Sequence, residues 1–188
     1  MQTVIALGTF DGMHAGHRCV IARTVEEARK TGAKSIVYTF KSIPRAVFAK
    51  DPGMLMTCDE RKKAMLDMGV DEVVMVEFTE EFAKISPETF IKNLMEAYHP
   101  RALVAGEDYS FGHKAAGRKD TLIRLGKEMG FEAIIIPVVR VVLPDGKLGD
   151  KISSTDIRRA INDNRPELAR QIALGCVSEK SGSAERNT

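Results

Sequence analysis

Two histidines separated by two residues lie in a glycine-rich stretch near the start of the chain, "GTFDGMHAGH". If a helix begins near His14, the side chains of His14 and His17 share one face, because positions i and i+3 of a helix are neighbours. The first-turn amides and the helix dipole would attract an anion there, and Gly16 would let a phosphate approach the backbone closely. The stretch therefore predicts a phosphate site in which both imidazoles donate hydrogen bonds as negative charge grows.

The same residues permit less specific interpretations. Zinc-binding pairs on helices more often use positions i and i+4, and apart from Asp11 no third ligand is evident nearby. A helix that begins at the surface can also carry two histidines without a function. The glycines Gly8, Gly12 and Gly16 are spaced by four residues, which fits neither the GxGxxG pattern of dinucleotide-binding proteins nor a Walker loop. Taken alone, the stretch leaves phosphate binding, metal binding and an incidental surface pair open.

A second candidate site lies in "KISSTDIRRAI", residues 151–161. Ser153, Ser154 and Thr155 stand at the N-cap of a helical pattern, with Asp156 in its first turn. One serine there would be an ordinary cap, but three hydroxyls followed by Arg158 exceed what capping needs. Hydroxyl and amide donors beside a guanidinium that can bind bidentately predict a second anion site.

The elements that must position these residues alternate along the chain. Apolar runs of strand length are continuous, as in strands covered on both faces, and helical patterns separate them. Thr57 with Glu60 predicts a capping box, and Ser86 with Pro87 predicts another helix start. We predict strands at 3–7, 35–40, 72–78, 102–106 and 132–139, and helices near 15–31, 59–68, 87–97 and 117–129. The pattern indicates an α/β fold, a Rossmann-like parallel sheet with helices on both faces, and ligands bind such sheets at the carboxyl ends of the strands.

Composition narrows the class of protein. The chain has 188 residues, of which 44% are hydrophobic and 29% charged, which suits one domain, predicted at residues 1–175. The net charge is only +2 and the charges are scattered, so we expect neither a nucleic-acid partner nor a membrane. Three well-separated cysteines predict neither a disulfide framework nor a zinc site. With no basic leader and no long apolar run, we expect a cytoplasmic location.

Two segments are predicted to be irregular. Residues 41–56, "KSIPRAVFAKDPGMLM", contain two prolines and no clear periodicity, which is typical of a lid or a binding loop. Residues 176–188 form a polar tail that we expect to be disordered.

Together, HxGH after the first strand and "ISSTDIR" at a late helix resemble the HxGH nucleotidyltransferase superfamily. Its members join a nucleoside triphosphate to a second substrate and release pyrophosphate. Five stretches resemble, in order and spacing, the FMN adenylyltransferase (FAD synthetase) module of the bacterial bifunctional riboflavin kinase/FAD synthetase family: "GTFDGMHAGH", "YTF", "GVDEVVMVEFTEEFAKISPETFI", "GEDYSFGHKAAG" and "ISSTDIR". The resemblance covers residues 3–175 and implies the HxGH nucleotidyltransferase fold.

The resemblance implies transfer of AMP from ATP to FMN, which yields FAD and pyrophosphate without a covalent enzyme intermediate. It implies that Mg²⁺ accompanies ATP, with protein ligands that the sequence does not identify, and that His14, His17 and Arg158 are catalytic. The residues implied at the ATP site are Gly8, Thr9, Phe10, His14, Gly16, His17, Ser153, Ser154, Thr155 and Arg158. Those implied at the FMN site are Asp11, Phe40, Pro44, Asp108, Tyr109 and Phe111. From composition alone, Tyr109 and Phe111 could equally be core residues.

The chain departs from the family at two places. In "FKSIPRAVF", Ile43 stands where the family usually has a histidine, so one donor on the phosphate side is expected to be absent. The family usually continues into a riboflavin kinase domain, which we expect this chain to lack, so a separate riboflavin kinase is a candidate partner.

Two alternative functions stay open, and these departures permit the second of them. One is another HxGH transferase with a different phosphorylated acceptor, which "GEDYSFG" argues against. The other is a catalytically weak flavin- or nucleotide-binding regulator, which the retained His14, His17 and Arg158 argue against.

Overall fold

A five-stranded parallel sheet forms the centre of the molecule. The computed structural model describes residues 2–42, 53–142 and 148–174. The strands are β1 (Thr3–Leu7), β2 (Lys34–Phe40), β3 (Glu72–Val76), β4 (Pro100–Gly106) and β5 (Glu132–Ile136), in the order β3-β2-β1-β4-β5. From β1 the chain continues to one side through β2, whereas β4 pairs on the other side, so a crevice opens between their carboxyl ends. The predicted α/β fold is confirmed.

Helices cover both faces of this sheet. They are α1 (Ala15–Thr31), α2 (Cys58–Asp67), α3 (Glu80–Ala83), α4 (Pro87–Tyr98), α5 (Lys119–Met129), α6 (Ser154–Asn162) and α7 (Pro166–Leu174). Val4 and Ala6 of β1 pack with α1 and α2, while Ile5 and Leu7 pack with α4 and α5. This division follows from the strand period of two, which sends successive side chains to opposite faces. Both faces of β1 are therefore buried, as its continuous apolar sequence predicts.

The boundaries of the predicted elements agree with the structure to within three residues. Val76 and Ile136 are the last residues of β3 and β5, so the predictions of strands to 78 and 139 were too long. Pro137 explains the second ending, because proline cannot donate to a sheet ladder. The antiparallel pair β6 (Arg140–Val142) and β7 (Leu148–Lys151), the helices α3 and α7, and a 3-10 turn at His113–Ala115 were not predicted.

The predicted helix starts are confirmed. The hydroxyl of Thr57 accepts from the Glu60 amide while the Glu60 carboxylate accepts from the Thr57 amide, which is a capping box. The Ser86 hydroxyl accepts from the Thr89 amide at the start of α4. Most of the predicted loop at 41–56 and the predicted tail at 176–188 lie outside the described residues.

The turn between β1 and α1 has an unusual backbone. Phe10 and Met13 have φ values of 53° and 44°, a left-handed conformation that bulky residues rarely adopt, and both side chains are buried. Gly8 permits the turn, since a Cβ there would lie 2.8 Å from the Phe10 ring. Such strain persists only where surrounding contacts hold it in place. Contacts with other parts of the chain therefore hold this turn, which leads into the start of α1 where both histidines lie.

Two glycines on the β4 side of the fold offer a test of the packing. Gly112 and Gly130 both have left-handed φ values, 72° and 82°. A Cβ at Gly112 would lie 2.6 Å from the Pro87 nitrogen, whereas nothing lies within 4 Å of one at Gly130. We expect Gly130→Ala to lower the free energy of unfolding by about 1 kcal/mol, from backbone strain alone. Gly112→Ala should cost about 1–3 kcal/mol more, because it adds overpacking.

Urea unfolding of the two alanine variants and the parent measures these differences. Equal losses at the two positions would contradict the close packing of residue 112 against α4.

Candidate functional site

A cavity of about 500 Å³ opens at the carboxyl ends of β1 and β4. Four parts of the chain form its wall: the turn after β1, the segments after β4 and β5, and the start of α6. Most of the residues that the sequence singled out line it, although the two motifs lie about 140 positions apart in the chain. These are Gly8, Thr9, Phe10, Asp11, His14, Gly16, His17, Asp108, Tyr109, Ser153, Ser154, Thr155 and Arg158.

Two of the described residues predicted at the FMN site, Phe40 and Phe111, do not line this wall. Phe40 is buried, with its ring against those of Phe78 and Phe82 at centroid distances of 5.1 and 5.4 Å. Phe111 is buried in the core on the α4 side, behind Tyr109, whose ring stacks on it at 5.7 Å. The core interpretation that the sequence left open thus describes the position of Phe111. Pro44, like Ile43, lies outside the described residues.

His14 caps the first helix. Its Nδ1 accepts a hydrogen bond from the His17 amide at 3.4 Å, and its backbone is extended, with φ −64° and ψ 169°. A neutral imidazole that accepts at Nδ1 carries its proton on Nε2. Burial lowers the pKa of His14 from its ordinary value of 6.5 to about 4. Gly16 makes room for the ring, because a Cβ there would lie 3.2 Å from the His14 Cε1 atom.

His17 stacks on His14, with ring centroids 3.6 Å apart and an interplanar angle of 21°. The edge of the Phe10 ring meets it at a centroid distance of 5.4 Å. Burial, followed by the proximity of His14 and of the Arg61 guanidinium, lowers the pKa of His17 well below its ordinary value. Among the described residues, no group hydrogen-bonds to the buried Nδ1 of His17. Both imidazoles are therefore neutral at pH 7.

Asp11 is a buried carboxylate that connects three segments. Its Oδ1 accepts from the amides of Leu55 and Met56 at 2.9 and 3.3 Å, and its Oδ2 forms an ion pair with Nη2 of Arg158. The Nε of Arg158 donates to the Gly53 carbonyl at 3.0 Å. Arg158, which was predicted to bind phosphate, is thus paired with Asp11, which was predicted to contact FMN. The sequence did not indicate this pairing.

The three hydroxyls at the start of α6 have different surroundings. Ser153 is the N-cap residue, and its hydroxyl donates to the Asp156 carboxylate at 2.5 Å. The Ser154 hydroxyl donates to the Asp11 carbonyl at 2.7 Å, which ties α6 to the turn after β1. Thr155 is exposed at the rim of the cavity. Ser153 and Ser154 therefore stabilise the start of α6 and its contact with the turn after β1.

The segment after β4 supplies a charged rim. The carboxylate of Asp108 pairs with the ammonium of Lys151 at 2.8 Å, and both side chains are substantially exposed. Apolar residues after β5, among them Pro137 and Val139, also line the cavity. Lys151 and the apolar wall were not predicted from the sequence, although the proline inside the run "EAIIIPVV" was a signal that the strand ended there.

A magnesium site is not evident in the part of the chain that the structure describes. Its histidine, cysteine and carboxylate side chains form no group of three that could hold a metal ion. The Asp11 oxygens are already bound to amides and a guanidinium. The residues present do not fit a protein-bound Mg²⁺, so the magnesium implied with ATP stays a prediction.

The histidine stack predicts a pH dependence of stability. The unfolded chain protonates His14 near 6.5 and the folded chain near 4, so stability is complete above pH 6.5 and falls as the pH decreases toward 4. We expect His14 to contribute a loss on the order of 3 kcal/mol across that range. His14→Asn, which keeps an N-cap acceptor, should remove this part of the pH dependence.

Urea unfolding between about pH 7 and pH 5 measures this slope. His113→Gln is the control, because it replaces an exposed imidazole outside the cavity wall. A His14→Asn variant with the parental slope would contradict the neutral, buried state of His14.

The pairing of Asp11 with Arg158 predicts energetic coupling. We expect Asp11→Asn to cost about 3 kcal/mol of unfolding free energy, because it leaves a largely buried guanidinium without its counter-charge. Arg158→Met in the same chain should recover about 1–3 kcal/mol of that cost.

A double-mutant cycle measured by urea unfolding gives this coupling energy. The exposed pair Lys63–Asp67 is the control, and its coupling should stay below about 1 kcal/mol. Additive effects at Asp11 and Arg158 would show that the ion pair does not join the two segments.

Comparison with known proteins places this chain in a family. The family model for FAD synthetase matches residues 1–156. A bifunctional riboflavin kinase/FMN adenylyltransferase from Listeria monocytogenes is 37% identical over 175 residues, 92% of this chain and 54% of the relative. One of the same name from Escherichia coli K12 is 32% identical over 172 residues, 90% of this chain and 53% of the relative. The chain thus spans about half the length of these relatives.

Two further matches extend the comparison. A relative from Geobacillus thermodenitrificans is 34% identical over 159 residues, 85% of this chain and 82% of the relative. A crystal structure described as a macrolide-efflux protein from Streptococcus pneumoniae has a TM-score of 0.78 and 30% identity, over 93% of this chain and 55% of that chain. In the described ranges, no helix has the length and apolar character to cross a membrane. From the match of the family model and the relatives, the chain belongs to the FAD synthetase family.

Proposed function

We propose that the chain transfers the adenylyl group of ATP to the phosphate of FMN, which yields FAD and pyrophosphate. The observation that carries this proposal is the meeting of the stacked histidines with Arg158 in one cavity. The family membership supports it, as do the relatives named as FMN adenylyltransferases. Because the matched part is about half of those relatives, we assign only the adenylyl transfer to this chain.

The proposed reaction is a direct displacement at phosphorus. An oxygen of the FMN phosphate attacks the α-phosphorus of ATP and forms the new P–O bond. The bond between the α-phosphorus and the oxygen that bridges to the β-phosphorus breaks, and pyrophosphate leaves with that electron pair. Positioning and charge stabilisation then provide most of the rate enhancement, as in other phosphoryl-type transfers. No covalent bond to the protein is formed.

The neutral histidines suit the triphosphate side of this reaction. The Nε2–H of His14 is available as a donor because its Nδ1 is used by the helix cap. The stack holds His17 beside it, and the first-turn amides of α1 add donors at the same helix end. Donors that are fixed before the reaction need not reorganise as charge develops on the phosphates. We therefore assign stabilisation of the transferring phosphate to His14 and His17.

Arg158, in the cavity wall, and Lys151, which pairs with the wall residue Asp108, are assigned to the remaining phosphate charge. Arg158 is held by Asp11, and Lys151 by Asp108. A triphosphate offers these cations oxygen acceptors that compete with the carboxylates, and a guanidinium can bind two of them at once. The exposed Thr155 hydroxyl lies at the same helix start. We propose that Arg158, Thr155 and the neighbouring serines orient the phosphates of ATP.

The flavin side of the proposal rests on the segment after β4 and the wall after β5. Tyr109 lines the cavity, and its ring is held in place by the stack on Phe111. Asp108 adds a polar group to the wall, and residues 136–139 add apolar surface. A flat aromatic ring with polar edges fits such a mixture of surfaces. The roles predicted for Phe40 and Pro44 stay predictions.

The wider setting is also part of the proposal. We place the chain in the cytoplasm, where ATP is present, and expect a riboflavin kinase activity to supply its FMN. Residues 1–175 would form the catalytic domain.

The test is an assay of the purified chain with magnesium, ATP and FMN, in which FAD and pyrophosphate are quantified. We expect both products in equal amounts. His17→Ala should lower kcat by about 100- to 1000-fold, because removal of one such donor costs about 2.7–4 kcal/mol of the barrier. His113→Ala should retain parental activity, since that exposed imidazole lies outside the cavity wall.

Other outcomes would replace the proposal. Pyrophosphate release with CTP or with another phosphorylated acceptor, but not with FMN, would identify a different nucleotidyltransferase. Binding of FMN and ATP without any product would identify a regulator. A His17→Ala variant with parental kcat would remove the assigned role of that residue.

A further inference from the structure

Arg61 is a buried cation that the proposed reaction does not use. Its side chain is fully buried, and within residues 2–42, 53–142 and 148–174 it forms no ion pair with a carboxylate. It lies in the first turns of α2, near the positive end of the helix dipole, which disfavours a positive charge. Burial of a charge without a counter-charge is costly. Stability alone therefore does not account for an arginine at this position.

The guanidinium donates to main-chain carbonyls at the carboxyl ends of two strands. Nη1 donates to the carbonyl of Thr9 at 2.7 Å, just after β1. Nη2 donates to the carbonyls of Phe40 and Lys41, at the end of β2, at 2.7 and 3.0 Å. The Thr9 carbonyl also accepts from the hydroxyl of Thr39 at 2.9 Å. Arg61 thus joins the start of the turn between β1 and α1 to the end of β2.

A short series of contacts connects the Thr9 carbonyl to His17. Arg61 donates to the carbonyl of the peptide between Thr9 and Phe10, which fixes the orientation of that peptide. Phe10, on the other side of this peptide, has the left-handed φ of 53°. The Phe10 ring packs over Gly8 and presents its edge to the His17 ring. A left-handed phenylalanine needs such external restraint, because the conformation is unfavourable on its own.

We propose that Arg61 is a positioning residue for the adenylyl transfer: it holds the Thr9 carbonyl and thereby fixes Phe10 and the imidazole of His17. The effect of Arg61 on the rate of adenylyl transfer rests on the proposed function, whereas its effect on the position of the His17 ring does not. Arg61 is not part of the cavity wall, so it acts through other residues. Its charge also contributes to the lowered pKa of His17, after burial and His14.

Three variants separate geometry, charge and stability. Arg61→Met removes both the guanidinium donors and the charge, while Arg61→Lys keeps the charge but cannot bridge all three carbonyls. Met65→Ala, one turn along α2 and fully buried, is the control for a loosened helix without loss of these contacts.

The measurements are kcat and the KM for ATP in FAD formation, and the NMR titration of the His17 imidazole. We expect Arg61→Met to lower kcat on the order of 100-fold, with a much smaller change in KM, because misplacement of a catalytic group acts mainly on turnover. The pKa of His17 should rise in this variant. Arg61→Lys should lower kcat while the His17 titration stays close to that of the parent. Met65→Ala should change neither kcat nor the His17 titration substantially.

Each outcome decides the inference. Parental kcat and an unchanged His17 titration in Arg61→Met would overturn it, as would losses of kcat that Met65→Ala reproduces at equal stability. If Arg61→Met does not fold, parental kcat in Arg61→Lys overturns it instead. If the parent forms no FAD, the proposed function fails, but NMR cross-relaxation between the Phe10 and His17 rings still tests the positioning of His17: weaker ring contacts in Arg61→Lys than in the parent support it, and unchanged contacts overturn it.

Discussion

The buried carboxylate of Asp11 is the contact on which the architecture of the cavity depends. Its oxygens bind the two amides that precede α2 and the guanidinium of Arg158, while the main-chain carbonyl of the same residue accepts from Ser154. The turn after β1, the start of α2 and the start of α6 therefore meet at one residue. A carboxylate removed from water is stable only where such donors surround it. The donors, in turn, are placed where the ligands of a parallel sheet bind.

The fold could be predicted because its strands are covered on both faces, which leaves continuous apolar runs in the sequence. The short hairpin of β6 and β7 was not predictable in this way, since β6 and β7 have only three and four residues and pair outside the main sheet. Helix starts were found correctly because their caps are local: Ser86 and Thr57 act on amides only three residues away.

The site was predictable where residue type and spacing suffice, as for His14, His17 and the residues 153–158. The partners of these residues were not predictable, because they come from distant segments. Arg61 stands in "DERKK", a charged sequence typical of an exposed helix face, and only the tertiary fold buries it. Phe111 presents the opposite problem: an aromatic residue in a glycine-rich loop can face a ligand or the core, and the sequence does not distinguish the two.

The neutral, stacked histidines have a consequence for the heat and the proton balance of binding. An anion bound beside an imidazole would favour its charged form, whereas burial disfavours that form. Binding of a phosphate would therefore raise the proton affinity of the pair, and hydrogen ions would pass from the solvent to the protein at a pH near the raised pKa. At such a pH, the observed enthalpy of association would include the ionisation heat of the buffer, and departure of the anion would return the protons to the medium.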